Sequence, residues 1–466
     1  MLKVPSIQNL HFGVYGLGRT GKATLDFLQY NQASYEAYDD NTSTRTHFES
    51  EGYNIIECVD WKWDKMHALV LSPGIPHHHP SPHSVALLAQ KHGVPIITDI
   101  DLLMRANLDA VLIGVTGTNG KSTTSALLGY IFAQAGERSI VAGNIGVSPL
   151  SFSWDATPLY GVLELSSYQL ERMRQNRLNA AIFLNLTPDH VDRHPTPEEY
   201  MLAKSKIFNS SDLKVAVLGV DETPMQKLYK EMQNTVSTLI PVSVKYTPEK
   251  GIYIEDGYLV DQYWGDGKIL KLSECMHLKG DHNAQNMAAC YALARYFGIE
   301  KDAIIEALKS FKSLPHRCEW VATIDHVELI NDSKATNVDS TCKALSSYDK
   351  IYWIVGGQYK QDPLEPLDAF LPKIKKIYTI GSSESVFLEH FKSKVEIESC
   401  KTLDQAFEIS LRDARTSEEP SVVLLSPACA SFDQFRHFEH RGDSFKELCS
   451  RTFEALETRK RARTIG

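Results

Sequence analysis

The chain lacks several things that would have assigned it to a class at once. It has no run of about 18 apolar residues, so nothing in it reads as a helix able to cross a bilayer. Its eight cysteines, at 58, 275, 290, 318, 342, 400, 429 and 449, include no C-x-x-C pair. That spacing argues against a zinc knuckle or a disulfide framework and for reduced thiols. No solenoid-period repeat, low-complexity tract or long flexible linker is present. Excess positive charge is also missing: the net charge of −9 disfavours nonspecific nucleic-acid binding, although a local group of Lys and Arg can still hold a small anion. The first residues, MLKVPSIQNLHFGVYG, contain neither an apolar h-region nor a small-residue cleavage site, so no export signal is expected and a cytoplasmic setting follows.

What remains is an ordinary globular composition, 43% hydrophobic and 23% charged, in 466 residues. At roughly 150 residues per domain, that length predicts about three domains, each able to bury a core. Strand-like apolar runs alternate with amphipathic helical stretches, the pattern of parallel sheets covered on both faces, so the fold class is α/β. The boundaries read as 1–108, 109–314 and 315–466. The first unit has strands at FGVYG, SYEAYD, ALVLS and VPIIT. The second begins with the strand before residue 117 and continues through SIVAG, LYGVLEL, AAIFLNL and VAVLG. A polar, β-like stretch follows from about 240 to 275, then the helix AQNMAACYALARYFG. The third follows Leu314-Pro315, with strands VELIND, IYWIVGG, KIYTIG and VVLLSPA that end in small or polar residues, where ligands of open α/β sheets bind.

The strongest motif is GVTGTNGKSTT at 114–124. An apolar run, Val111-Leu112-Ile113, leads into a glycine-rich turn ending in Gly120-Lys121-Ser122. Backbone N–H groups of Gly117, Thr118, Asn119 and Gly120 can converge on phosphate oxygens, Lys121 can reach the terminal phosphates, and the Ser122 hydroxyl can meet Mg²⁺. The helix from Thr123 presents its positive end to the same place. The ligand predicted is ATP or GTP. A strict G-x-x-x-x-G-K-S would need glycine where Val115 stands; Gly114 lies one residue early, so this is a variant loop.

Gly16-Leu17-Gly18-Arg19-Thr20-Gly21 follows a strand, and Asp39 or Asp40 lies about 20 residues on, where a dinucleotide-binding domain holds a ribose. A tight turn and a helix amino terminus would serve any nucleotide diphosphate, so this segment by itself leaves NAD and other nucleotides open. The loop Ser72-Pro73-Gly74 reads as a contact for the same ligand or as a plain strand-ending turn. The run His77-His78-His79 reads as a solvated loop, since adjacent loop histidines rarely converge on one ion.

A nucleotide site with Mg²⁺ needs hard oxygen ligands, and Glu164 stands where a strand should end. The next strand runs into Asp189, His190, Asp192 and His194, a cluster suited to metal or substrate or to a polar loop. Lys204 lies on a helix starting near Pro197, either on a solvated face or buried. The third unit places Arg317, Lys334 and Lys360 beside strand ends, three cations suited to phosphates or carboxylates, Arg by its fork and Lys as a point charge. Cys429 has no His partner indicated and reads as a buried packing residue.

Taken together these motifs resemble the ATP-dependent Mur ligases of bacterial peptidoglycan synthesis, most closely the branch that adds D-glutamate. The resemblance covers nearly the whole chain. GTNGKST at 117–123 is shared with the related folylpolyglutamate synthases, whereas NDSKATN at 331–337 and LSPACASFDQF at 425–435 look like the D-glutamate branch. It implies a Rossmann-like domain binding the UDP-substrate, a central P-loop ATPase-like domain with a parallel sheet, and a Rossmann-like carboxyl-terminal domain for the amino acid. On this resemblance the first domain takes a uridine diphosphate rather than NAD.

Residue by residue, the resemblance implies ATP contacts from 117–123 (including Thr123), Asn283, Asn286, Arg317 and Asp332. It implies two Mg²⁺ positions, held by Ser122, Glu164, His190 and Lys204, the last as a carbamate. Gly18, Arg19, Thr20, Ser72, Pro73, Gly74, Asn144 and His190 would hold UDP-N-acetylmuramoyl-L-alanine. Thr336, Lys360, Ser431, Phe432 and Phe438 would form the D-glutamate pocket, and Lys121, His190, Lys204 and Lys334 would be catalytic. Asp39-Asp40-Asn41 departs from the Thr-Arg pair often found there, which leaves the uracil contacts unassigned. The implied reaction phosphorylates a carboxylate to an acyl phosphate, which an amine then attacks, in a monomer without nucleic acid or membrane partners. The rival readings are another Mur-type or folylpolyglutamate-type ligase, a nicotinamide-dependent oxidoreductase and a non-catalytic nucleotide-binding regulator.

Overall fold

A computed structural model describes residues 2–106, 108–154, 159–187, 193–417 and 419–465, with side chains to residue 456. Asp189, His190 and Asp192 therefore lie outside the described residues. Three sheets organise the chain, which folds as two compact units: Met1–Leu272 with Ala284–Lys309, and Ser273–Asn283 with Ser310–Gly466. The first unit contains two of the sheets and the second contains the third.

The first sheet has four parallel strands, β1 (His11–Tyr15), β2 (Ser34–Tyr38), β3 (Ala68–Leu71) and β4 (Ile96–Ile97), in the order β2-β1-β3-β4. Every residue of β3 is buried, the continuous apolar pattern of a parallel strand covered on both faces. The helix Arg19–Tyr30 turns Leu25, Phe27 and Leu28 into the core. One hydrophobic cluster runs from Phe12, Phe27 and Ile100 to Leu163, Leu178 and Ile207, so the first two sheets share apolar packing.

The second sheet has nine strands: β5 (Val111–Thr116), β6 (Ser139–Gly143), β7 (Tyr160–Glu164), β8 (Ala180–Phe183), β9 (Val215–Gly219), β10 (Thr238–Ser243), β11 (Ile252–Glu255), β12 (Tyr258–Asp261) and β13 (Gly267–Lys271). Their order is β13-β12-β11-β10-β9-β8-β5-β7-β6. The strands from β6 to β11 run parallel, which puts their carboxyl ends on one edge. The polar stretch after residue 250 instead adds an antiparallel meander. Its first turn is Asp256-Gly257, both at positive φ (+51° and +76°), the backbone that a two-residue hairpin loop requires and that Asp-Gly accepts.

The third sheet comprises β14 (Glu319–Ile324), β15 (Val327–Asn331), β16 (Ile351–Gly356), β17 (Ile374–Ile380), β18 (Ile397–Lys401) and β19 (Ser421–Leu425), ordered β14-β15-β19-β16-β17-β18. Only β14 is antiparallel to its neighbour. The edge strands β14 and β18 go beyond the strands read from sequence, because each is half exposed and carries no continuous apolar run. Among the described residues no helix is long and apolar enough to cross a membrane.

Candidate active site

β5 delivers residues 117–120 to the amino end of the helix Lys121–Gln134. Gly120 is left-handed (φ +83°), and a Cβ there would sit 2.3 Å from Asn286 Oδ1. Glycine is therefore required both by the backbone and by the close approach of Asn286. Ser122 is buried at the first helical turn. Lys121 Nζ donates to the carbonyls of Gly117 (2.9 Å) and Thr118 (2.7 Å). The two environments open for Lys204 resolve to burial: it is 1% exposed, on the helix Pro197–Ser205. Its Nζ donates to the Gly117 carbonyl at 2.8 Å and lies 4.7 Å from the Tyr200 ring centroid.

A hydrogen-bonded chain behind the loop goes beyond the residues read from sequence. Asn119 N donates to Asn185 Oδ1 (3.0 Å), Asn185 Nδ2 to Gln285 Oε1 (2.8 Å), and Gln285 Nε2 to Asp221 Oδ2 (2.9 Å). Asp221 Oδ1 is anchored by Ser243 Oγ (2.7 Å) and by the N–H groups of Val244 and Lys245, both at 3.0 Å. Thr118 N also bonds the Asn185 carbonyl, and Thr118 Oγ1 pairs with the backbone of Thr187. The available signal was a polar residue, Asn185, immediately after an apolar strand, together with Gln285 in the segment GDHNAQN. Asn286 is buried in the first unit, whereas Asn283, whose Nδ2 donates to the Lys279 carbonyl at 2.9 Å, belongs to the second.

Glu164 ends β7 in register with Val115, so it flanks the start of the phosphate loop. It is 2% exposed, and Oε1 accepts from Asn144 Nδ2 at 2.9 Å. Oε2 is buried with no hydrogen-bond partner among the described residues. An orphaned carboxylate oxygen in a dry site is costly, and a hard cation is the partner it fits. Among the described residues no group of three or more His, Cys, Asp or Glu gathers. Asn144, implied as a UDP-substrate contact, is tied to Glu164 twice, since its N–H also meets the Glu164 carbonyl at 2.9 Å.

At the first sheet Gly16 is at φ +91°, and a Cβ on Gly21 would lie 2.2 Å from the Gly16 carbonyl. Gly18 and Arg19 are exposed and Thr20 half-buried at the helix start. Asp39 does not stand ready for a ribose: Oδ2 accepts Leu17 N at 2.7 Å and Oδ1 accepts Asn41 N at 2.9 Å. Ser72 Oγ donates to the Gly16 carbonyl at 3.2 Å, which joins the 72–74 loop to the glycine turn. Arg172, itself buried, braces that loop from beneath through the carbonyls of Leu71 (3.0 Å), Ser72 (3.1 Å) and Ile75. His77 departs from a solvated loop. Its Nδ1 accepts from Arg172 Nε at 3.1 Å and contacts Arg193 Nη2 at 3.0 Å. Burial and the two arginines push its pKa down to about 2, so it is a neutral acceptor. His78 and His79 are exposed.

In the second unit, the loops after β15, β19 and β16 emerge from adjacent parallel strands. Asp332 is buried, accepting from Cys318 N (3.1 Å) on Oδ1 and from Ser426 Oγ (2.8 Å) on Oδ2. Burial raises its pKa to about 7 against the lowering effect of those bonds and of Arg317. Lys334 Nζ lies 4.1 Å from the Phe438 ring centroid. Thr336 is half-buried, Lys360 exposed and Ser431 buried. Phe432 is 69% exposed. Cys429 is fully buried, and burial raises its thiol pKa to about 11, as a packing residue rather than a nucleophile requires.

Residues 115–294 match the model of the Mur ligase middle domain, and 316–429 match that of the Mur ligase glutamate ligase domain. The UDP-N-acetylmuramoylalanine--D-glutamate ligase of Rhodospirillum rubrum is 41% identical, with 97% of this chain and 96% of the relative covered. The ligase of the same name from Rickettsia bellii is 39% identical over 94% of this chain and 97% of its own. Among solved structures, the UDP-N-acetylmuramate-alanine ligase MurC of Thermotoga maritima superposes with a TM-score of 0.58 at 17% identity, covering 95% of this chain and 100% of that one. A pseudomurein peptide ligase type C from Methanothermus fervidus gives 0.56 at 15% identity, covering 95% and 100%. At those identities the two structures support the fold alone.

Proposed function

We propose that this chain, which belongs to the Mur ligase family, is an ATP-dependent ligase joining D-glutamate to UDP-N-acetylmuramoyl-L-alanine, a step of peptidoglycan precursor synthesis. The observation that carries the reading is the phosphate loop: Lys121 and Ser122 open a helix behind Gly120, with Glu164 on the flanking strand. Relatives of that activity, similar over nearly their whole length, supply the substrates. Residues 1–108 would hold the UDP-substrate, 109–314 ATP and 315–466 the amino acid.

In this reading the L-alanyl carboxylate attacks the γ-phosphorus of ATP, ADP departs, and an acyl phosphate forms. The amine of D-glutamate then attacks the acyl carbon, loses a proton and expels phosphate, leaving an amide. A carboxylate is a poor electrophile, and phosphorylation supplies its leaving group. Lys121 would leave the Gly117 and Thr118 carbonyls for the ATP phosphates, with Arg317 adding a second cation against the transferred charge. Bound Mg²⁺, held by Ser122 and Glu164, would neutralise phosphate charge. Asn283 and Asn286 would address the adenine, while Asp332 and Lys334 would serve the nucleotide and the reaction centre. Gly18, Arg19, Thr20, the 72–74 loop, Asn144 and His190 would hold the UDP-substrate. Thr336, Lys360, Ser431, Phe432 and Phe438 would hold D-glutamate.

A second Mg²⁺ position at His190 and Lys204 belongs to the same reading, with Lys204 carbamylated so that an anion replaces the ammonium. A carbon-13 carbamate signal from labelled bicarbonate, lost in Lys204→Arg, would support it; no such signal in the wild type would remove it. The protein would act in the cytoplasm as a monomer. The deciding experiment is phosphate release with Mg²⁺-ATP and UDP-N-acetylmuramoyl-L-alanine, offering D-glutamate, L-glutamate, L-lysine, meso-diaminopimelate or L-alanine. Turnover with D-glutamate alone establishes the reading; turnover with another amino acid moves the substrate, and none at all removes the ligase.

A further inference from the structure

The three loops given to the amino acid follow β15, β16 and β19 and carry Thr336, Lys360 and Ser431. Loop carbonyls need donors when they are buried, and here one side chain supplies them. Arg441, on the helix Phe438–Ile465, is 1% exposed. Its Nε donates to Ser333 Oγ at 3.0 Å. Its Nη2 donates to the carbonyls of Ser333 (2.9 Å) and Cys429 (3.1 Å), and Nη1 to those of Ala430 (3.4 Å) and Gly356 (3.5 Å).

These partners are carbonyls and a hydroxyl rather than a carboxylate. The buried cation is thus solvated by loop backbone, and its position depends on where those loops stand. Burial lowers its pKa only to about 10, so it remains protonated at neutral pH. A guanidinium presents five donors in a fixed plane, which a lysine's three donors on a point charge cannot reproduce. The opposite side of the joint is just as close. Gly357 is at φ +139°, and a Cβ there would meet the Ala430 carbonyl at 2.3 Å and Arg441 Nη1 at 3.1 Å. Gln358 and Ala430 also exchange backbone hydrogen bonds of 2.8 and 3.0 Å.

We propose that Arg441 is a positioning residue for the incoming amino acid. By holding the carbonyls of Ser333, Gly356, Cys429 and Ala430 on one rigid fork, it sets the spacing of the loops that carry Thr336, Lys360 and Ser431. The assignment rests on the D-glutamate reading above. It acts on capture of the amino acid without touching it, so its loss separates the three substrates kinetically.

The test is the KM of each substrate in the full-length enzyme. Arg441→Lys keeps the charge but not the fork, and should raise the KM for D-glutamate by about 10- to 100-fold, the scale of a misplacement near 1 Å. The KM for UDP-N-acetylmuramoyl-L-alanine should not move, and that for ATP should move less than that for D-glutamate, because the fork also holds Ser333 between Asp332 and Lys334. Gly357→Ala, which forces the joint apart from the other side, should give the same split and decides the matter if the lysine variant does not fold. Arg451→Ala on the exposed part of the same helix, where Arg451 pairs with Glu447, should change nothing. A folded Arg441→Lys enzyme with an unchanged D-glutamate KM, or with all three KM values raised alike, overturns the proposal. A wild type that uses a different amino acid would sink the D-glutamate reading alone, since the split would then be measured with that amino acid.

Discussion

Lys121 and Lys204 donate to the same acceptor, the carbonyl oxygen of Gly117, at 2.9 and 2.8 Å. Residues 83 positions apart in sequence thus place two amines at the mouth of the phosphate loop. Of the two, Lys121 is the one suited to bring positive charge to a polyanionic ligand, since Lys204 is buried and, as a carbamate, would carry negative charge.

Lys121→Ala should leave a folded protein with turnover reduced about 10²- to 10³-fold, corresponding to roughly 3 to 4 kcal/mol of transition-state stabilisation. Phosphate release measured beside an unchanged circular dichroism spectrum checks it. Wild-type turnover in the folded variant would refute the phosphate-loop assignment.

Glu164→Gln keeps the shape of the side chain and removes the charge that faces the orphaned position. The Mg²⁺ concentration giving half-maximal activity should rise, with the rate partly restored at high Mg²⁺. A magnesium titration identical to wild type would mean that Glu164 serves only to orient Asn144.

Asn185→Ala cuts the chain from Asn119 to Asp221, leaving the Asn119 N–H and Gln285 Oε1 without these partners. The cost expected is about 1 to 3 kcal/mol, concentrated on the loop. ATP should therefore raise the melting temperature less in the variant than in wild type. Equal ATP-induced shifts would show that the chain does not support the nucleotide site.

Asp332 should make stability depend on pH. Its pKa is raised from 3.8 to about 7 in the folded protein, so between those values the native state holds a proton that the unfolded state has released. Stability from this group is greatest at low pH and falls as pH rises toward 7, by at most about 1.4 kcal/mol per pH unit. Asp332→Asn should melt with a flatter pH dependence from pH 5 to 7. Parallel melting curves in the two proteins would contradict the assignment.

Much of the architecture was legible in the sequence. Continuous apolar runs such as β3 and β16 announce buried parallel strands and GTNGKST announces a phosphate loop, because each rests on a local preference of a few consecutive residues. β14 and β18 escaped the same reading because a half-exposed edge strand has no local signature strong enough to declare it. Gly16-Leu17-Gly18-Arg19-Thr20-Gly21 was legible as a turn but not as a ligand, and Asp39, which looked like a ribose contact, braces the turn instead.

The sequence by itself therefore determined the buried strands, the α/β order and the glycines on which the turns depend. Only the tertiary structure decided that Lys204 is buried, that Asn185 and Gln285 back the phosphate loop, and that Arg441 ties three loops together. The reason is physical: a buried donor is drawn to whichever carbonyls folding leaves unpaired, and for Arg441 one of those belongs to Ser333, 108 residues away. No pattern of neighbouring residues carries that information; it exists once the strands lie side by side.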